Sequence, residues 1–177
     1  MKETGIVRRI DELGRVVIPK ELRKTMRIKE GDPLEIFTDA ETLMLKKYSP
    51  VSAISDISDS VVDALYSQSE MTALVVDFDN VVAAKGKGAK ELAGKRVSSK
   101  LVDAITERKT VFSGAGDGGA IPLTEDGITY KNQVIVPIIS GGDALGAVII
   151  GDDRDEPVDA VRIKMTMLAA DLIARQS

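Results

Sequence analysis

The densest run of reactive side chains in this sequence is cationic. From Met1 to Lys29, nine Lys and Arg stand against four Asp and Glu, a local balance of +5. Arg8, Arg9, Arg15, Arg23 and Lys24 carry charges that so small a segment cannot bury. Arg presents a planar fork matched to phosphates and guanine edges, whereas Lys supplies a point charge. From Val51 onward, thirteen cations face nineteen acids, a balance of −6. A basic head on an acidic body points to a polyanion at one end only. Ordinary solvation of mixed charge is the plainer alternative, so the pattern around these residues must decide.

Catalytic chemistry has little to stand on. The chain contains no His and no Cys, which removes imidazole bases, thiolate nucleophiles, disulfides and nearly all zinc or iron sites. Gly88 to Lys95 (GAKELAGK) has the outline of a phosphate loop. Its glycines are one residue too far apart, however, and Arg96 stands where Ser or Thr would ligate magnesium. Gly114 to Gly119 is followed by a strand pattern, not the helix a dinucleotide site needs. Asp77 and Asp79 close a strand, where an acid pair and a turn are equally good readings. Asp152, Asp153, Asp155 and Glu156 precede a helix; favourable charge at a helix N-terminus accounts for them more simply than a cation does. No enzyme, metal or cofactor is expected. The N-terminus lacks the apolar core of a secretion signal, and Ala144 to Ile150 is far too short to cross a bilayer. The expected location is cytoplasmic, without membrane contact.

The elements that must hold the cations are short. Ile6 to Ile10 reads as a strand with mixed faces. Asp11 to Gly14 reads as a turn, and Arg15 to Ile18 as a second strand ended by Pro19. Pro19 suits the start of a helix over Lys20 to Met26, in which Leu22 and Met26 share a face while Arg23, Lys24 and Arg27 point outward. After the break at Gly31-Asp32-Pro33, Leu34 to Thr38 and Thr42 to Tyr48 form a hairpin about Asp39-Ala40-Glu41. Helices below roughly 12 residues are marginal alone, very small domains bury too little surface, and no staple is available. Pairing with a second copy is the remaining route. An obligate dimer would present every arginine twice about a two-fold axis, a geometry suited to a duplex.

The run Thr4-Gly5-Ile6-Val7-Arg8-Arg9, then Asp11 to Pro19 and Glu21-Leu22-Arg23, resembles the swapped-hairpin DNA-binding domain of the bacterial AbrB family. Leu34 to Phe37 and Leu45 to Tyr48 match its closing hairpin. The resemblance implies two chains interleaved into a small β-barrel, with Arg8, Arg15 and Arg23 on DNA and Arg9 and Lys24 at positions that are also basic in the family.

Beyond the head, Ile54, Ile57, Val61 and Ala64, with Leu65 beside them, form a helical stripe in a connector over residues 51–70. Ser52, Ser55 and Ser58 are its candidate N-caps. Thr72 to Phe78 and Val81 to Ala84 read as strands, and Gly88 to Lys109 as helix. Ser113 to Gly119 reads as a loop. Gln133 to Ser140 and Ala144 to Ile150 form a hairpin across Gly141-Gly142-Asp143. A last helix, Pro157 to Gln176, carries Val158, Val161, Met165, Leu168 and Leu172 on one face, with Ile163, Met167 and Ile173 on a second. One face can cover the sheet while the other meets another helix, giving a four-helix bundle in a dimer and allowing a tetramer.

The stretch VIVPIISGGDALGAVII and the layout before it resemble the GAF family of sensor domains. The expected fold is α+β: a swapped-hairpin head over residues 1–50, the connector, and a GAF-like body over 71–177. The two resemblances together imply a sequence-specific transcription regulator of sporulation genes, nucleoid-associated and acting on double-stranded DNA as a homodimer or homotetramer. They also imply a body that oligomerises and has room for a small effector. The rival reading is an antitoxin-like module that autoregulates its operon, since swapped-hairpin heads also occur in toxin–antitoxin pairs; a C-terminus that reads as packed counts against it.

Overall fold

The computed structural model describes residues 4–113 and 119–177. The chain divides into two compact units, residues 1–48 and 49–177.

The first unit contains one short helix, α1 (Lys20–Thr25), and one antiparallel hairpin, β1 (Leu34–Asp39) with β2 (Thr42–Lys47). Leu34 pairs Lys47 and Asp39 pairs Thr42, leaving a two-residue turn in which Ala40 takes φ 46°. The expected strands over Ile6–Ile10 and Arg15–Ile18 do not form in the single chain. A strand exists by virtue of a hydrogen-bonded neighbour, and no described segment of the same chain pairs with either stretch. The head of one chain is therefore a two-stranded sheet, one short helix and segments without regular structure, not a closed barrel. Its apolar side chains lie open: Val7 is 85 % and Val17 73 % exposed, and Ile10, Val16, Ile36 and Leu43 are exposed too. A lone hairpin of this kind is marginal in water.

The second unit opens with α2 (Pro50–Ala53) and α3 (Ser55–Ser69). Ser49, not Ser52, Ser55 or Ser58, supplies the side-chain cap, its Oγ accepting from the Ser52 N–H at 3.2 Å. The Ser52 hydroxyl is used otherwise: it donates to the buried Asp77 carboxylate at 2.9 Å. Strands β3 (Thr72–Val76), β4 (Val81–Lys85), β5 (Val111–Ser113), β6 (Asn132–Ser140) and β7 (Asp143–Asp152) form one antiparallel sheet in the order β4-β3-β7-β6-β5. Their near-continuous apolar runs are explained by cover on both faces. Ala73, Val75, Val134, Val136 and Ile150 meet Val62 and Leu65 of α3 and Ile173 of the last helix, α6 (Ala160–Gln176). Leu74, Val76, Ile135 and Ile149 meet Leu92 of α4 (Ala89–Leu92) and Leu101 and Ile105 of α5 (Ser99–Thr106).

Four expectations need correction. The helix expected from Gly88 to Lys109 is two helices, because Gly94 takes φ 75° and the chain between them bonds back to β4, Gly94 N–H to Val81 O and Val81 N–H to Lys95 O. The last helix starts at Ala160, where the Asp159 carboxylate accepts the Val161 and Arg162 N–H groups, each at 2.9 Å. The acids before it do not serve its N-terminus. Asp152 pairs with Arg154 and accepts from Asn132, Asp153 accepts the Lys131 N–H, and Asp155 pairs with Lys131, so they staple residues 152–156 to the start of β6. The sheet-facing sides of both long helices also differ from the stripes read in the sequence. Val62, Leu65 and the small Ser58 and Ser69 face inward on α3, and Thr166, Ala169, Ala170 and Ile173 on α6. Small residues let a helix lie close on a sheet; Val61, Ile163 and Met165 pack at the margin of this contact, and Val161, Leu168 and Leu172 are left outside. The loop expected over Ser113 to Gly119 lies, from 114 to 118, outside the described residues.

Candidate nucleic-acid interface

The loop that carries Arg15 is organised by one carboxylate. Asp11 Oδ1 accepts the backbone N–H of Leu13 at 3.0 Å and of Arg15 at 2.8 Å, and its Oδ2 accepts the Arg15 Nε–H at 2.7 Å. Backbone bonds from Gly14 N–H to Asp11 O and from Asp11 N–H to Arg15 O complete the loop. Gly14 sits at φ 77°, where a Cβ would be strained. The Arg15 donors, backbone first and guanidinium second, hold the Asp11 carboxyl below the usual aspartate range. Sequence alone gives Asp11 as one member of a turn; its grip on Arg15 was the missed feature. An Asp four residues before an Arg across a glycine is the signal that could have found it.

That grip uses only one edge of Arg15. Its Nη groups remain at the surface, and the side chain is 72 % exposed. Among the described residues, the Arg8 side chain bonds to the Val7 carbonyl alone, at a marginal 3.5 Å. Arg9, Arg23 and Lys24 are exposed and make no side-chain hydrogen bond or ion pair among the described residues. Arg23 and Lys24 stand in the last turn of α1, where a cation meets the helix dipole favourably. Pro19 precedes this helix as its N-cap. Leu22 is half-buried and Met26 exposed, so their shared face is not covered within the chain. One chain thus presents exposed arginines beside exposed Val7, Ile10, Val16 and Val17. Among the described residues, Asp11 is the one acid that pairs with these five cations, and Val7, Ile10, Val16 and Val17 are exposed.

Among the described residues, no group of three or more His, Cys, Asp or Glu is arranged to hold a metal, and no helix is long and apolar enough to cross a membrane. The Asp77 pair read in the sequence is a turn: Asp77 Oδ1 accepts the N–H groups of Asp79 and Asn80, each at 2.7 Å.

Comparison with known proteins divides along the same two parts. Residues 53–177 match the family described as stage V sporulation protein T C-terminal, transcription factor, and residues 7–52 match the antidote-toxin recognition MazE family of bacterial antitoxins. Stage V sporulation protein T of Bacillus subtilis (strain 168) is 42 % identical over 99 % of this chain and 98 % of its own length. The transition state regulatory protein AbrB of the same organism is 66 % identical over 50 residues, 28 % of this chain and 52 % of AbrB. The GAF-B domain of DevS from Mycobacterium smegmatis superposes with a TM-score of 0.54 at 14 % identity, covering 69 % of this chain and 90 % of that domain. The body therefore has the GAF fold.

Proposed function

This chain belongs to the stage V sporulation protein T family of transcription factors, and from that premise we propose how it engages DNA. It is a sporulation transcription regulator with an AbrB-like DNA-binding head and a GAF-fold body. Two chains pair through their heads, covering Val7, Ile10, Val16 and Val17 and supplying the extended segments with the strand partners they lack. The paired head then carries Arg8, Arg9, Arg15, Arg23 and Lys24 twice. Phosphate neutralisation by these cations supplies affinity, while free arginine forks read base edges. The carrying observation is the coincidence of exposed arginines and exposed apolar side chains on one short segment.

The body joins chains and has the fold of domains that hold small effectors. It is a regulator without catalytic turnover, acting in the cytoplasm on the nucleoid. The antitoxin reading draws on the head alone, whereas residues 53–177 match a transcription factor family. The test is promoter-DNA binding by a variant carrying Arg8→Ala, Arg15→Ala and Arg23→Ala. It should fold and assemble as the wild type does while losing at least about a hundredfold in affinity, from a loss of roughly 1–3 kcal/mol per specific contact. Wild-type binding by that variant would overturn the site.

A further inference from the structure

At one end of the body sheet lies a cleft of about 420 Å³, lined by Tyr66, Glu70, Thr72, Lys87, Tyr130 and residues 152–154. Small-molecule sites fall in the range of about 300–1,000 Å³. The chain has three tyrosines, and two of them meet here. Their seats are made by two glycines. A Cβ on Gly86 would stand 2.8 Å from the Thr72 Cα and 3.0 Å from the Tyr66 ring, and one on Gly151 would stand 2.5 Å from the Tyr130 ring. The walls are therefore formed by close approach of ring to backbone, which any larger residue at either glycine would spoil.

The polar groups are of two kinds. Thr72 Oγ1 and the Tyr130 hydroxyl both reach the Lys87 carbonyl, at 3.2 and 3.4 Å, and also interact with each other, so the pair turns oxygen atoms towards the cleft. Asp152 and Arg154 neutralise each other. Asp153 accepts the Lys131 N–H through Oδ1, leaving Oδ2 to a ligand. The Lys87 ammonium and the Glu70 carboxylate make no hydrogen bond or ion pair among the described residues. What remains is one cation, two carboxylates, two hydroxyl oxygens and two tyrosine rings, Tyr66 partly exposed and Tyr130 largely buried. That set rejects a polyanion, whose phosphates would meet Glu70 and Asp153.

We propose that this cleft binds a zwitterion of the α-amino-acid class. Glu70 and Asp153 hold the ammonium with help from the hydroxyl lone pairs, Lys87 holds the carboxylate, and Tyr66 and Tyr130 flank an apolar side chain. A ring face adjoining an ammonium adds a cation–π contribution. The site deepens the effector reading of the body and is independent of how the head meets DNA.

The test is titration of the full chain with each of the common L-amino acids, read by tyrosine ring resonances and calorimetry. At least one apolar or aromatic amino acid should saturate with Kd at or below about 1 mM. Its amide, lacking the carboxylate, and its N-acetyl form, lacking the ammonium, should each bind at least about tenfold more weakly. Lys87→Met and Glu70→Gln remove groups without internal partners, so both variants should keep wild-type melting and DNA affinity while losing about tenfold in amino-acid affinity. Saturation by none of the amino acids, equal binding of the charge-deleted derivatives, or full affinity in both variants would each overturn the proposal and leave the DNA-binding account untouched.

Discussion

Asp11 holds Arg15 at two points, the backbone N–H at 2.8 Å and the guanidinium Nε–H at 2.7 Å. The carboxylate thus fixes where the arginine leaves the loop while its Nη groups stay available. Replacing Asp11 by Ala should keep the fold of the body and lower DNA affinity about three- to tenfold, because Arg15 must then be ordered at the moment of binding. Electrophoretic mobility or anisotropy on promoter DNA reads the loss. Unchanged affinity would mean that the loop does not position Arg15.

The same contact fixes a pH window. The Asp11 carboxyl is held below its ordinary value by the Arg15 donors. A depressed carboxylate stabilises the loop fully above its unfolded pKa, about 4, and loses that contribution as pH falls through the folded value. The amide resonances of Leu13 and Arg15 should be unmoved from pH 8 to about pH 5 and shift together below about pH 4. Movement near neutral pH would contradict this.

Salt dependence separates the cations by role. A paired head offers each of them twice, so one substitution removes two phosphate contacts when its side chain meets phosphate. Lys24→Ala should flatten the slope of log affinity against log salt by about 1.8 and weaken all sequences alike. Arg15→Ala or Arg23→Ala, where the fork reads a base, should instead reduce discrimination between promoter and random DNA. Equal effects of all three on specific and random DNA would reduce the interface to nonspecific charge.

The outer face of α6 carries Val161, Leu168 and Leu172, of which Leu168 is 60 % exposed, while Ala169 and Ile173 are buried beneath. Leu168→Glu with Leu172→Glu should therefore leave the body folded and lower the mass of the full chain by light scattering. The pair would divide a tetramer into dimers held by the heads. An unchanged mass would place the body contact elsewhere.

A stability prediction comes from Gly146 of β7, where a Cβ would lie 2.0 Å from the Val76 carbonyl oxygen. Backbone cannot yield as a side-chain tip can. Gly146→Ala should cost about 1–3 kcal/mol, in the range of overpacking, and lower the melting temperature of the body while the head keeps its affinity per folded chain. No change in melting would mean that β3 and β7 relax apart at that point.

Where sequence and structure agree, strong local chemistry was at work. Gly141 and Gly142 turn as their residue type allows, and the runs Thr72–Val76 and Asn132–Ser140 are strands rich in apolar side chains on both faces; the Asp39–Thr42 turn was legible as well, although it puts Ala40 at φ 46°. The helices were harder. Periodicity on α6 gave one face of Val158, Val161, Met165, Leu168 and Leu172 and a second of Ile163, Met167 and Ile173; the sheet took Ile173 from the second together with Thr166, Ala169 and Ala170, which the pattern did not single out. A hydrophobic stripe shows that a surface wants cover; it does not say whether the sheet or another chain provides it. The acids at 152–156 were misassigned for a related reason. Their partners Asn132 and Lys131 lie twenty or more residues away, beyond any local pattern. The excess of cations in the head was legible from composition, whereas the hold of Asp11 on Arg15 showed only in three dimensions.

The central claim is that the arginine site exists only when two heads pair. Val17→Asp tests it most directly, since the variant keeps every cation and places an unpaired charge on the side chain that is 73 % exposed in the single chain. Anisotropy on promoter DNA should be run beside sedimentation of the same sample. The account predicts loss of head pairing and loss of DNA binding together, by at least about a hundredfold, as expected for a charge forced into an apolar interface. A Val17→Asp protein whose heads no longer pair, yet which binds promoter DNA with wild-type affinity, would contradict it.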